Sequence, residues 1–225
     1  MKNILLCSYR DWATKICNNL TDNFDLKANF NLVKTPEEFQ SYLSLKENTD
    51  AMFFIGWSEI IPKDIVDKEM CFCLHPSLLP KYRGGSPIQH QMLNLEDKSG
   101  VTIFKMDEGV DTGSIYFQET FKIKDLELQE VFYNIIEIGT KGFSNLLKDI
   151  LDDKKLKLFE QDETKSTTYK RRKPDESEIT LEDFDLLTSR ELSNKINSLQ
   201  DPYPNAFIRC KDGSILYLKS SSYKE

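Results

Sequence analysis

The residues best suited to chemistry in this chain lie between Cys73 and Gly85. This stretch contains His75, one of only two histidines, where an apolar run ends and a proline-punctuated loop begins. Histidine titrates near neutral pH, which suits it to proton transfer at that pH. Pro76 disfavours the helical region for the residue before it, so His75 should be extended at a sheet edge. The sequence therefore predicts proton transfer at His75; a core histidine with a satisfied hydrogen bond is the alternative.

The loop after His75 mixes apolar residues with two cations, Lys81 and Arg83, and ends in paired glycines before a helix that begins at Pro87. Glycines let a backbone approach a ligand closely, and a helix N-terminus favours anions. Lys81 and Arg83 are therefore candidates to hold phosphate, although each could equally be a solvated surface charge.

A second polar loop, residues 107–113, carries Asp111 between two glycines. Aspartate and glycine both favour turns, and turn formation is the commoner reason for an isolated aspartate in such a place. If Asp111 faces His75, however, its negative charge would stabilise the protonated imidazole and fix the tautomer of the neutral ring.

The elements that must position these loops alternate between strand and helix patterns, which indicates an α/β fold with a doubly wound, mostly parallel, Rossmann-like sheet. Ligands bind such sheets outside the carboxyl ends of the strands, so residues 56–58, 75–85 and 107–113 should meet there. The predicted strands are residues 3–8, 29–33, 51–55, 70–74, 101–106 and 115–119. The predicted helices are residues 11–20, 87–95 and 128–151, together with one that begins at Thr35 and Pro36 with Glu38 at the capping position.

The pattern changes after residue 152, where a charged break is followed by a basic, extended stretch. A helix capped by Thr188 or Ser189 should run to about Leu199. Two short strand patterns flank Lys211-Asp212-Gly213, a good hairpin signal. We therefore expect a catalytic domain over residues 1–152 and a small helix-plus-hairpin subdomain over residues 153–225.

Composition narrows the function classes. Hydrophobic residues make up 39% of the 225, enough for a core, and the net charge of −7 disfavours nucleic acid as a partner. No apolar run approaches the length of a membrane span or a signal peptide. The five cysteines are scattered and odd in number, which favours free thiols in a reducing cytoplasm.

The motif His-Pro-Ser-Leu-Leu-Pro-Lys-Tyr-Arg-Gly-Gly at residues 75–85, followed by Asp-Thr-Gly at 111–113, resembles the folate-dependent formyltransferase family. That family includes glycinamide ribonucleotide transformylase, methionyl-tRNA formyltransferase and the N-formyltransferases of nucleotide-linked amino sugars. The resemblance is strong over roughly the first 120 residues. Further stretches look more like the sugar branch, namely residues 56–58, 83–87, 168–174 and 201–207.

The resemblance implies transfer of a formyl group from 10-formyltetrahydrofolate to a primary amine, without a metal. The family's catalytic histidine and aspartate match His75 and Asp111. The family's asparagine, which donates a hydrogen bond to the formyl oxygen, is matched by Cys73. This is a departure, because a thiol is a weak donor and losing an oxyanion donor costs about 3–4 kcal/mol in barrier height.

The resemblance also divides the remaining site residues between two ligands. An apolar slot with backbone partners would hold the flat pterin of the folate. The acceptor would be a dTDP- or UDP-linked amino-dideoxy sugar for bacterial surface polysaccharide, its diphosphate held by cations and its base stacked on an aromatic ring. The expected folate residues are Trp57, Ile60, Ser77, Leu79, Asp107, Gly109 and Asp111. The expected acceptor residues are Arg10, Trp12, Lys81, Arg83, Tyr169, Arg171 and Tyr203.

Several alternatives stay open at this point. Cys71, Cys73, His75 and Asp111 could form a metal site, although zinc sites usually use Cys-x-x-Cys spacing on a turn. The acceptor could instead be glycinamide ribonucleotide or methionyl-tRNA. A folate- or nucleotide-binding module made inactive by Cys73 would bind without turnover. The C-terminal hairpin also has an edge that could pair with a second copy in a homodimer.

Overall fold

Strands and helices alternate along the first two thirds of the computed structural model, which describes residues 1–45 and 48–224. The strands are β1 (Lys2–Cys7), β2 (Ala28–Val33), β3 (Ala51–Ile55), β4 (Cys71–His75), β5 (Arg83–Gly84), β6 (Lys98–Lys105), β7 (Ile115–Lys122), β8 (Thr168–Tyr169), β9 (Ala206–Arg209) and β10 (Ile215–Leu218). The helices are α1 (Asp11–Phe24), α2 (Pro36–Ser44), α3 (Lys63–Lys68), α4 (Pro87–Leu93), α5 (Leu128–Leu151), α6 (Leu181–Leu186) and α7 (Ser189–Ser198).

The central sheet has the strand order β2-β1-β3-β4-β6-β7. Strands β2, β1, β3 and β4 are parallel, whereas β6 pairs antiparallel with β4 and β7 pairs antiparallel with β6. Helices between the parallel strands cover the sheet, as the need to bury both faces requires. The predicted α/β fold with a mostly parallel, Rossmann-like sheet is confirmed.

Two apolar clusters cover the two faces of the sheet, because successive side chains of a strand point to opposite faces. In β1, Ile4 and Leu6 join the cluster built with α1 and α5, whereas Leu5 and Cys7 join the cluster built with α2 and α3. With both faces covered by helices, a binding site is left at the ends of the strands.

The capping signals in the sequence predicted helices well. Thr35 accepts a hydrogen bond from the Glu38 backbone N–H at 3.1 Å and starts α2, and the long helix α5 has the predicted bounds. Two short helices, α3 and α6, were not predicted, because six residues carry too little periodicity to be recognised.

The C-terminal part forms the predicted helix and hairpin. Thr188 caps α7, and β9 pairs antiparallel with β10 across the predicted turn. A separate small core holds this part together, formed by Ile179, Ile196, Leu199 and Ala206. The boundary at residue 152 stays a prediction, and residue 225 lies outside the described residues. The chain also returns to the first part, since β8 pairs with β5 in the loop after His75.

Candidate active site

His75 ends β4, and its side chain is buried, with 5% of the residue exposed. Its Nε2 lies 2.7 Å from the carbonyl oxygen of Tyr82. Because a carbonyl oxygen only accepts hydrogen bonds, Nε2 must carry a hydrogen and donate it. In the neutral ring Nδ1 therefore carries the lone pair, and Nδ1 is the nitrogen that is able to accept a proton.

Asp111 faces that nitrogen, with its Oδ2 3.4 Å from His75 Nδ1. The same oxygen accepts a hydrogen bond from the Gly84 backbone N–H at 2.8 Å, which ties residues 107–113 to the loop after His75. Once Nδ1 has accepted a proton, the carboxylate stabilises the positive charge on the ring. The predicted His–Asp pair is thus brought together in a geometry suited to proton transfer.

Residues 107–113 reach His75 by a route that the sequence did not indicate. They were expected at the carboxyl end of a strand parallel to β4, but β6 runs antiparallel to β4, so its carboxyl end lies at the opposite end of the sheet. The Met106 backbone N–H accordingly donates to the carbonyl of Cys71, at the start of β4. The loop then folds back towards His75, and this part of the prediction was wrong.

A cavity of about 540 Å³ opens beside this pair. It is lined by residues that follow β1 and β3, by the end of β4, by residues 84–89 and 106–111, and by residues of the C-terminal part. Among the predicted site residues, the cavity is lined by Arg10, Trp12, Trp57, Ile60, Cys73, His75, Asp107, Gly109, Asp111, Arg171 and Tyr203.

Ser77 and Leu79, predicted to contact folate, are instead buried beneath the loop after His75. The Ser77 hydroxyl donates to the Lys81 carbonyl at 2.7 Å, and the Leu79 backbone N–H donates to the Thr102 hydroxyl at 3.3 Å. Both residues shape the loop from below, and neither is among the residues that line the cavity.

Arg83 does not point to the cavity either. Its guanidinium is buried, donates to the side-chain oxygen of Gln161 at 2.7 and 3.2 Å, and forms a two-bond pair with the carboxylate of Glu163. These four hydrogen bonds use four of its five N–H groups. Arg83 is also not among the residues that line the cavity, so the predicted phosphate contact is not made there. Lys81 is exposed and likewise lies outside the cavity lining.

The paired glycines after Arg83 line the cavity, and they also have a packing role. A side chain on Gly84 would collide with the Tyr169 carbonyl oxygen, and one on Gly85 would collide with the backbone of Arg171. The glycines thus allow the segment around β8 to lie against this loop. Tyr169 is occupied in the same contact, because its ring stacks on Tyr82 with centroids 4.9 Å apart, away from the cavity.

One group of cavity-lining residues, here called the folate-side wall because it holds most of the residues expected to contact folate, consists of Trp57, Ile60 and residues 107–110. Trp57 packs edge-on against Phe39 and Phe54, which holds its ring in place. Ile60 is 88% exposed at the rim. Asp107 accepts hydrogen bonds from the Gly109 backbone N–H and the Thr112 hydroxyl, which fixes the loop's turn. The wall thus offers a flat apolar surface beside backbone polar groups.

A second group of cavity-lining residues, here called the acceptor-side wall because it holds residues expected to contact the acceptor, consists of Arg10, Arg171, Arg172 and Tyr203. Burial raises the pKa of Tyr203 to about 12, and the nearby charges of Arg10 and Arg171 partly oppose that rise. Arg172 was not singled out from the sequence. It is half-buried, its Nε has no partner among the described residues, and burial lowers its pKa. Three cations are therefore among the residues that line the cavity.

Three further buried polar side chains on the cavity wall also have an atom without a hydrogen-bond partner in the part of the chain that the structure describes. These atoms are the Nε1 of Trp12, the Nε1 of Trp57 and the Oε1 of Gln89. Trp12 is almost fully buried and stacks on Phe132. It is therefore a wall of the cavity rather than an open platform for a base. No signal in the sequence pointed to Gln89.

Cys73 lines the cavity two residues before His75. Burial raises the pKa of its thiol well above the usual value, and the Asp111 carboxylate raises it further. The thiol is therefore neutral near pH 7. It donates a long hydrogen bond to the Leu74 carbonyl, with Sγ 3.6 Å from the oxygen. A neutral thiol is neither a nucleophile nor a strong hydrogen-bond donor.

We expect Cys73→Asn to raise kcat by about tenfold, because an amide supplies the oxyanion donor that the thiol supplies poorly. Steady-state rates would be compared with those of Cys73→Ala, which measures what the thiol itself contributes. A lower rate in Cys73→Asn than in Cys73→Ala would contradict this expectation and show that the site arranges the oxyanion in another way.

The metal-site alternative does not fit the geometry. Within residues 1–45 and 48–224, no group of three or more His, Cys, Asp or Glu side chains is arranged to hold a metal ion. Cys71 is buried in the cluster beneath β4, and burial raises its pKa to about 12. Its thiol is thus a core side chain.

Over the same described residues, no helix combines the length and the apolar character needed to cross a membrane.

Comparison with known proteins then identifies the chain's relatives. The methionyl-tRNA formyltransferase of Campylobacter jejuni (strain RM1221) is 31% identical over 242 residues, covering 92% of this chain and 76% of that protein. A methionyl-tRNA formyltransferase from Clostridium thermocellum superposes with a TM-score of 0.78 at 25% identity, covering 96% of this chain and 97% of that one.

More distant structures share the fold. A sugar N-formyltransferase from Shewanella sp. gives a TM-score of 0.76 at 21% identity, covering 100% of this chain and 99% of that one. HypX from Aquifex aeolicus in complex with tetrahydrofolic acid gives 0.72 at 15% identity, covering 92% and 35%. The family model described as formyl transferase matches residues 15–144. This chain belongs to the formyl transferase family, whose members are enzymes of formyl transfer.

Proposed function

We propose that this enzyme transfers a formyl group from 10-formyltetrahydrofolate to the primary amine of a nucleotide-linked amino sugar. The observation that carries the proposal is that the His75–Asp111 pair opens into one cavity with two unlike walls. The flat apolar folate-side wall suits a pterin ring. The three cations of the acceptor-side wall suit a diphosphate. The sugar N-formyltransferase from Shewanella sp. has the same fold over its whole length.

The residues divide the chemistry as follows. The folate co-substrate supplies the formyl group as an activated amide. His75 Nδ1 accepts the proton that the amine loses as its nitrogen bonds to the formyl carbon. Asp111 stabilises the imidazolium that results. His75 then returns the proton to the folate nitrogen as the bond between that nitrogen and the formyl carbon breaks. The buried position of His75 keeps this proton away from bulk water.

A second candidate acceptor is methionyl-tRNA. The curated relative of that name is 31% identical over 92% of this chain, and residues 170–173 form a basic run that begins at the cavity rim. Against it stands the net charge of −7, because binding to nucleic acid depends largely on neutralising phosphates with basic residues.

The test incubates the purified enzyme with 10-formyltetrahydrofolate and one acceptor at a time. The acceptors are a panel of dTDP- and UDP-linked amino sugars, methionyl-tRNA and glycinamide ribonucleotide. We expect a formylated sugar nucleotide, identified by mass spectrometry. Formylated methionyl-tRNA as the sole product would establish the second candidate. Binding of folate without any product would instead indicate an inactive binding module.

Within this proposal, Arg171→Gln should raise KM for the sugar nucleotide by about 10- to 100-fold, the value of one charge-assisted hydrogen bond. The effect on kcat should be small, because Arg171 lines the acceptor-side wall and is not part of the proton-transfer pair. Lys170→Gln is the matched control, since Lys170 is exposed and lies outside the cavity lining. Equal KM values for the two variants would remove Arg171 from the phosphate site.

We further propose that the enzyme is cytoplasmic, since five free cysteines suit a reducing compartment.

We also propose that two copies of the chain form a homodimer through the C-terminal hairpin. Strand β10 is an edge strand of its two-stranded sheet, and Ile215, Leu216 and Tyr217 are exposed along it. Light scattering of the full chain against a Leu216→Lys variant tests this association, because a charge on the edge opposes strand pairing.

A further inference from the structure

Gln161 links the two loops that carry the His–Asp pair. It lies after α5, far from both loops in sequence, and is 9% exposed. Its side-chain nitrogen donates to the backbone carbonyl of Asp111 at 2.9 Å and to that of Gly113 at 2.8 Å. Its side-chain oxygen accepts from the guanidinium of Arg83. Both hydrogens of the amide nitrogen and both lone pairs of the oxygen are therefore used.

The orientation of this amide follows from chemistry. Arginine only donates hydrogen bonds and carbonyl oxygens only accept them, so the Gln161 oxygen must face Arg83 and the nitrogen must face residues 111 and 113. Arg83 is itself held by the carboxylate of Glu163, and this contact lowers the pKa of Glu163. Glu163, Arg83, Gln161 and Asp111 are joined by a continuous series of hydrogen bonds. In each bond, only one of the two partner atoms is able to donate.

The loop needs such support at this position. Asp111 has a φ of +55°, a left-handed conformation that most residues with a side chain rarely adopt. Gly113 is packed so closely that a side chain there would collide with the carbonyl oxygen of Lys105. Gln161 holds the two carbonyls on either side of Thr112, and so sets where the carboxylate of Asp111 lies relative to His75 Nδ1.

We propose that Gln161 is a positioning residue for formyl transfer, which acts through Asp111 and touches neither substrate. This inference rests on the catalytic role of the His75–Asp111 pair in the proposed function. It explains why Arg83, which does not line the cavity, is buried beside the site. Arg83 orients Gln161, and Gln161 orients Asp111.

The kinetic test uses Gln161→Glu, which keeps the size of the side chain and the acceptor for Arg83 but loses both N–H donors. A carboxylate oxygen then faces two carbonyl oxygens and pushes the loop away. We expect kcat to fall by about 10- to 100-fold with little change in either KM. Displacing a catalytic group by about 1 Å can lower the rate by up to about 100-fold. Gln161→Leu serves as a second variant, without a new charge.

The matched control is Gln118→Leu. The Gln118 amide also donates two hydrogen bonds beside the His75 loop, to the Leu79 carbonyl at 2.9 Å and the Thr102 hydroxyl at 2.8 Å, but it does not contact Asp111. If the loss of two hydrogen bonds were the only effect, Gln118→Leu and Gln161→Leu should lower kcat by the same factor. Equal kcat values for Gln118→Leu and Gln161→Leu would overturn the proposal.

A double-mutant cycle separates positioning from a general loss of structure. In an Asp111→Asn background there is no carboxylate to position, so Gln161→Glu should lower kcat by less than about threefold there, within the range of a surface substitution. Equal losses of kcat in the two backgrounds would overturn the proposal, because they would show that Gln161 does not act through Asp111.

A spectroscopic test needs no substrate and so stands apart from the choice of acceptor. The chain has two histidines, and His90→Gln leaves His75 as the only imidazole signal. In this background, Gln161→Glu should move the His75 Cε1–H resonance towards the position found with Asp111→Asn. An unmoved resonance contradicts the role of Gln161 whatever the enzyme formylates. A moved resonance without turnover on any acceptor supports Gln161 and counts against the proposed function alone.

Discussion

Replacing His75 with glutamine is expected to lower kcat by about 10²- to 10⁴-fold, the usual contribution of a general base. The His75 ring faces Asp111 directly, with Nδ1 3.4 Å from Oδ2, and Nδ1 carries the lone pair because Nε2 donates to the Tyr82 carbonyl. A glutamine amide still donates to that carbonyl, so the buried hydrogen bond is retained while the base is lost. The loss should therefore appear in kcat and not in folding.

The measurement is the steady-state rate at saturating concentrations of both substrates, with folate binding followed by calorimetry. His90→Gln is the control, because it removes the other histidine, whose Nε2 contacts the exposed Lys170 carbonyl at 3.0 Å. His90→Gln should keep kcat within about threefold of the parent value. A His75→Gln enzyme that turns over as fast as His90→Gln would rule out His75 as the base.

The sequence predicted this pair well because the motif at residues 75–85 and the Asp-Thr-Gly at 111–113 are specific together. It predicted the surrounding ligand contacts less well. Lys81 and Arg83 were assigned to phosphate from their charge and from the glycines and helix start that follow them, yet Arg83 turns inwards to Gln161 and Glu163. The residue types of a loop do not show which side of it faces the cavity. That depends on segments far along the chain, here residues 161–169.

The direction of β6 illustrates a similar limit for the fold. Its apolar run, buried on both faces, has the same composition as a parallel strand, so the pattern predicted the strand but not its antiparallel pairing with β4. The consequence reaches the site, because residues 107–113 must fold back along the sheet to bring Asp111 to His75. The rule that ligands bind at the carboxyl ends of parallel strands placed residues 107–113 beside His75, as the structure does. The strand before them, however, does not end there.

Asp111→Asn is expected to lower kcat by about 10²- to 10⁴-fold, a loss comparable to that of the base itself. Asparagine tolerates the left-handed conformation that Asp111 adopts, so the backbone of the loop should be kept. In one orientation, the amide oxygen accepts the hydrogen bond from the Gly84 N–H. In the other orientation, it faces His75. The negative charge is absent in both. Where the amide nitrogen faces His75, it donates to Nδ1 and occupies the lone pair that must accept the substrate's proton.

The matched control is Asp125→Asn, since Asp125 is another aspartate with positive φ, at +60°, outside the cavity lining. It tests the same change of side chain on the same backbone conformation, and it should leave kcat within about threefold. Folate affinity should be unchanged in Asp125→Asn and altered little in Asp111→Asn. If both variants lost activity equally, the loss would come from the left-handed backbone. A loss confined to Asp111→Asn assigns it to the charge beside His75, since the two substitutions otherwise match.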